Sequence, residues 1–194
     1  MTQQDTSLID LRLELRPETP LEKQLLRMPE FVKGLFWGVP RYGHPEGEVY
    51  KHVKEVLENI NHLPVDPHTR ALLRQIAYVH DTFKYLEDKG QPRDWSKHHG
   101  ALGRRFLENF TEDEIVLAIT ELHDEAYYCW RAIQLHQQPE VGEARLKQLF
   151  NTIGIEHLQL YYLFFKCDTR TGDKIQSPVK WFESNIKGIE IVEW

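Results

Sequence analysis

Cysteine is scarce in this chain of 194 residues: Cys129 and Cys167 are the whole supply. Two thiols cannot build a disulfide framework, and their separation lacks the spacing of a metal finger. An excess of base is missing too. Lysine and arginine number 24 against 30 acidic residues, a formal net charge of -6. That balance speaks against a broad surface for duplex nucleic acid, though not against a local basic pocket. No apolar run approaches the length of a membrane span, and residues 1–5 carry no basic-then-apolar leader. We therefore expect a cytoplasmic protein with no membrane partner. Internal repeats and low-complexity tracts are also lacking, and nothing marks a second domain. What the chain does have is histidine, ten in all, and their placement carries the functional reading.

Taken in order, residues 1–20 form a polar N-terminal arm. Leu11, Leu13 and Leu15 alternate with charged residues, which predicts a short strand or an extended piece ended by Pro17 and Pro20. Residues 21–37 show a helical apolar stripe broken near Pro29. A loop rich in glycine and proline follows, carrying Arg41, Tyr42 and His44. Val49, Val53, Val56, Leu57 and Ile60 then place His52 on the buried stripe of a helix over 48–60. Leu72, Leu73, Ile76 and Phe83 share helical spacing with His80, and Asp81 follows directly. Leu102, Gly103, Phe106 and Phe110 put His99 inward, with His98 about 100° away. Thr111 to Glu114 resembles a capping box, and Ile115, Val116, Ile119 and Leu122 bring His123 onto an apolar face. A further helix is expected over 141–150. In the last strong helix, Leu158, Tyr161, Phe164 and Phe165 turn Asp168 inward. The tail closes with an amphipathic piece over 179–186 and a β-like end. The pattern is that of an all-α protein, a single-domain helical bundle over residues 21–194.

Five helices thus each place ionisable side chains on an otherwise apolar face: His52, His80 with Asp81, His99, His123 and Asp168. Any one of them alone reads better as a satisfied core residue. Together they must all find partners, and a shared metal centre satisfies every one. Four histidines and two aspartates exceed the needs of one tetrahedral ion, so two ions bridged by Asp81 are expected. Such a pair suits the hydrolysis of phosphate esters. Tyr127, Tyr128 and Trp130 are candidates for stacking a base.

The order His52, His80-Asp81, His99, His123 and Asp168 resembles the HD-domain superfamily of metal-dependent phosphohydrolases, across residues 44–170. The stretch from His44 to Leu57 is similar to the first helix of HD modules in bacterial tRNA nucleotidyltransferases and in HD-type polynucleotide end-processing phosphatases. His80-Asp81-Thr82-Phe83-Lys84 matches the family's His-Asp-x-x-Lys, and His99-x-x-x-Gly103 matches the helix that supplies an additional histidine. Phe83 departs from the glycine common there and would add bulk beside the metal.

The resemblance implies that His52, His80, Asp81 and Asp168 hold one divalent ion, and that His99 and His123 hold a second with Asp81 shared. The metals in view are Mn, Fe, Co, Ni, Mg and Zn. Asp81 and Lys84 would be catalytic, with Lys84 neutralising phosphate charge, and Asp124 would orient His123 from behind. Arg41, His44, Arg104 and Arg170 are the candidate substrate-binding residues. The expected substrate is a phosphorylated small molecule or a single-stranded nucleic-acid end, cleaved as a monoester or cyclic phosphodiester. An HD-type di-iron oxygenase and a non-catalytic regulatory HD domain are the alternatives.

Overall fold

A computed structural model describes residues 9–43 and 45–194. The protein is all-α, with no β-strand among the described residues. At its centre, α4 (Val49–Asn61), α5 (Pro67–Val79), α7 (Glu114–Leu122) and α10 (Leu158–Thr169) pack together. α6 (His99–Leu107) lies on α7, α8 (Glu125–Trp130) pairs with α9 (Pro139–Ile153), and α11 (Ser177–Asn185) packs on α8 and α10. Three short helices precede this core: α1 (Leu11–Leu15), α2 (Pro20–Leu25) and α3 (Pro29–Leu35). No helix among the described residues is long and apolar enough to cross a membrane.

Local chemistry sets these elements. Pro67 occupies the first turn of α5, where its missing N–H costs nothing, and the Asp66 carboxylate accepts from His68 N and Thr69 N. α10 is apolar nearly all round, and every residue in it except Gln159 is buried. It is therefore the central rod of the core. Two glycines allow close approaches that bear on the site. A Cβ on Gly34 would lie 2.0 Å from Thr82 O, and one on Gly100 would lie 2.3 Å from Glu121 O. Only glycine lets α3 touch the turn after α5, and α6 touch the end of α7.

Several expectations need correction. Residues 11–15 are helical, not extended. Leu11 and Leu15 are buried one turn apart while Leu13 is 73% exposed, and Asp10 caps the turn by accepting from Arg12 N. Alternation over five residues fits a helical i, i+4 pair as well as a strand. The cap of α7 is Asp113, which accepts from Ile115 N and Val116 N, rather than Thr111. No strand closes the chain. Residues 186–194 run irregularly across the body, and Lys166 Nζ donates to Val192 O. Phe83 points into the core against Phe106, with ring centroids 4.8 Å apart, and adds no bulk to the site.

Candidate metal centre

The two His-Asp pairs of the sequence are structural twins. His80 ends α5 and His123 ends α7, and Asp81 and Asp124 sit in the turns that follow. Each histidine directs Nδ1 to the carbonyl three residues back: His80 to Ala77 O and His123 to Thr120 O, both at 2.9 Å. A carbonyl only accepts, so Nδ1 carries a proton in each and Nε2 is the nitrogen turned inward. His52 from α4 and His99 from the start of α6 complete the set, and all four rings are buried.

Two groups of converging acceptors result. In the inner group, His52 Nε2 lies 3.1 Å from His80 Nε2, 2.9 Å from Asp168 Oδ1 and 3.5 Å from Asp81 Oδ2. His80 Nε2 lies 3.7 Å from Asp81 Oδ2 and 3.6 Å from Asp168 Oδ1. In the outer group, His99 Nε2 lies 3.1 Å from His123 Nε2, 3.2 Å from Asp81 Oδ1 and 3.4 Å from Asp124 Oδ2. His123 Nε2 completes it at 3.5 and 3.7 Å from those two oxygens. Asp81 therefore turns one oxygen to each group.

The residues fit divalent metal. Ligands about 2.1 Å from an ion stand about 3.0 Å apart at right angles and about 3.4 Å apart in a tetrahedron. The observed edges scatter around those values. Imidazole nitrogens and carboxylate oxygens converging in a buried cluster outnumber the protons among them, and a divalent cation would satisfy both groups.

The surroundings tune the two groups differently. Burial, with Lys174 adding to it, pushes His52 down to about 4 and keeps it neutral. Burial also opposes charge on His123, yet Asp124 and Asp81 outweigh it and raise His123 to about 9. Asp81 and Asp168 are held well below the carboxylate range: burial acts upward, and Lys84 with His80, or Lys174 with His52, override it. Lys84 is raised, because Asp81 and Asp124 outweigh its burial.

Behind the outer group stands Glu87, which sequence reasoning missed. Its Oε2 lies 3.4 Å from His99 Nδ1, and Arg93 donates to its Oε1. Burial acts upward on this carboxyl, but His99 and neighbouring cations bring it down to about 2. It lies in a loop with no periodicity, so only its charge could have marked it. His98, with Glu87 and His99, forms a further group of potential ligands, but its ring is engaged at both nitrogens. Its Nδ1 accepts from Gly100 N at 3.1 Å, so Nε2 carries the proton and faces Asp124 Oδ2 at 3.5 Å. Asp124 stands among the inward acceptors of the outer group and not behind His123, where Thr120 O does the orienting.

Above the cluster opens a pocket of about 300 Å³ reached by Asp81, Lys84, Asp124, Tyr127, Asp168 and Lys174. Of the aromatic run after His123, only Tyr127 reaches it. The predicted arginines are placed elsewhere. Arg104 is engaged by Glu108, Glu114 and Glu121. Arg170 lies over the Trp194 ring beside a different depression. Arg41 is exposed and donates to Val39 O at 3.4 Å. His44 lies outside the described residues.

Fold and cluster together define a helical bundle with a His/Asp centre able to hold divalent metal. A family model described as HD domain matches residues 49–150, more than half of the chain. The chain belongs to that family, which is typical of metal-dependent hydrolases. Asp168 lies beyond the matched segment and joins the site through α10. No curated protein and no solved structure matches the chain.

Proposed function

We propose that the protein is a divalent-metal-dependent phosphohydrolase, acting on a phosphate monoester or cyclic phosphodiester of a nucleotide or nucleic-acid end. The observation that carries this reading is Asp81, whose two carboxylate oxygens face two separate histidine pairs. On this reading the inner ligands are His52, His80, Asp81 and Asp168, and the outer ligands are Asp81, His99, His123 and Asp124. Bound there, two ions would supply Lewis acidity toward a phosphoryl oxygen and a water of lowered pKa. The chain's own part is to fix and polarise. Ala77 O and Thr120 O set the tautomers of His80 and His123. Lys84, cationic beside Asp81 and open to the pocket, meets the charge of the phosphoryl group. A cytoplasmic setting accords with Cys129 and Cys167, which are buried free thiols.

The equal furnishing of the two groups, two histidines and one private aspartate each, also suits a di-iron oxygenase. A panel of Mn²⁺, Co²⁺, Ni²⁺, Mg²⁺ and Fe²⁺ against generic phosphatase and phosphodiesterase esters, then nucleotides and RNA ends, tests the first reading. Phosphate release with redox-inert metal is the expected result. Oxygen consumption with aerobically retained iron, and no hydrolysis with any metal, would replace it by the second.

A further inference from the structure

The only cations that reach the pocket among the described residues are Lys84 and Lys174. They arrive from different parts of the fold, Lys84 from the turn after the first His-Asp pair and Lys174 from the loop between α10 and α11. Each is held by the inner group. Lys84 Nζ donates to Asp81 Oδ2, and Lys174 Nζ donates to Asp168 Oδ1 at 2.9 Å and to the Asp168 carbonyl at 3.1 Å. Their side chains stay 16% and 20% exposed, so both ammoniums can reach an anion. Apart from the three aspartates, Gly43 and Thr169, the rest of the wall is carbon and ring surface: Tyr42, Tyr127, Phe165, Ile175 and Pro178. Tyr42 is 83% exposed and Ile175 47% exposed, apolar surface left open at the mouth of a polar site.

We infer that Lys174 is a second anion anchor beside Lys84, and that the substrate is a small ester with one phosphoryl group and a compact, uncharged, ring-bearing body. The inference rests on the phosphohydrolase reading and narrows it. Counted over the pocket lining alone, two divalent ions and two ammoniums, set against Asp81, Asp124 and Asp168, leave a positive surplus that one phosphate dianion and one hydroxide cancel. Among the described residues a second phosphate would find no further cation in the pocket, since Arg104 and Arg170 are committed elsewhere. The apolar wall gains from burying a ring and gains nothing from a charged chain. At about 300 Å³ the pocket is at the small end of ligand sites.

The test uses the full chain loaded with Mn²⁺, with metal per chain measured first and anion binding then followed by calorimetry. The probes are methylphosphonate and phenylphosphonate. We expect the phenyl compound to bind about tenfold more tightly in the parent. Lys174→Met should weaken both probes by about tenfold or more at unchanged metal content, and Lys174→Arg should recover part of the loss. Parent-like binding in Lys174→Met, or equal affinity for the two probes, overturns the inference. Loss of metal from Lys174→Met also overturns it, since the lysine would then be a support for Asp168. A parent chain that takes up no metal defeats the underlying reading itself, and shows this before any phosphonate is added.

Discussion

Two of the buried charge clusters among the described residues are built on opposite principles. Between α2 and α5, Arg74 donates to both oxygens of Glu22, at 3.0 and 2.8 Å, and to Arg16 O at 3.0 Å. Tyr78 donates to Leu15 O, and Arg70 grips Glu18. Every one of these contacts joins a donor to an acceptor, although Glu22 is fully buried and Arg74 nearly so. In the His/Asp cluster the count fails. Four imidazole nitrogens and three carboxylates converge, and Lys84 and Lys174 are the cations that meet them. Burial of polar groups is thus common to a structural clamp and to a candidate metal centre. What separates them is whether the chain supplies its own donors.

Substitutions can break or sharpen that contrast. The largest effect is expected at Asp81, the one residue common to both ligand groups. Asp81→Ala should leave little metal on the chain by elemental analysis and reduce phosphate release to background. Near-parental activity in this variant would refute the two-ion account. In the clamp, Arg74→Met strands the Glu22 carboxylate and should cost about 3–5 kcal/mol in denaturant unfolding. Its metal content should match the parent's. Chelation should lower the melting temperature of parent and variant alike, because the clusters share no residue and their effects should add. A chelator effect that vanished in Arg74→Met would join the two clusters.

Smaller effects separate the inner from the outer group. His99→Ala and His123→Ala should each bring metal toward one ion per chain while the far-ultraviolet dichroism stays native, since the inner ligands remain. Two ions still bound in both variants would remove these histidines from the site. The mildest change is Glu87→Gln. It keeps the shape of the group behind His99 but not its charge, and should weaken binding of the second ion by about 10–100-fold without altering the saturated count. Equal affinity in a metal titration would make Glu87 a partner of Arg93 alone.

Sequence periodicity made the inward faces of the helices legible, because an apolar stripe says which side of a helix is core. That suffices to place His52, His99, His123 and Asp168 in the interior. It does not reach residues whose position depends on a turn. Asp124 was expected behind His123, yet both residues follow the end of α7 and the carboxylate swings round to the Nε2 side. Glu87 and Lys174 lie in irregular loops, where no spacing reports direction. Closeness in sequence to a ligand also misled for Arg104 and Arg170, whose side chains leave the site for Glu114 and Trp194.

The buried rod α10 has a consequence for the order of events in folding. The residues of the outer group all come from one stretch of chain, Asp81 to Asp124, carried by neighbouring turns and helices. The inner group joins His52 to Asp168, which arrives in the last turn of a helix that must first be enclosed on every side. Closing that long loop is entropically costly and late. A refolding chain should therefore be able to capture an ion at the outer group before the inner one exists. Divalent metal present from the start of refolding should be taken up in two phases, the second coinciding with burial of the α10 aromatic residues.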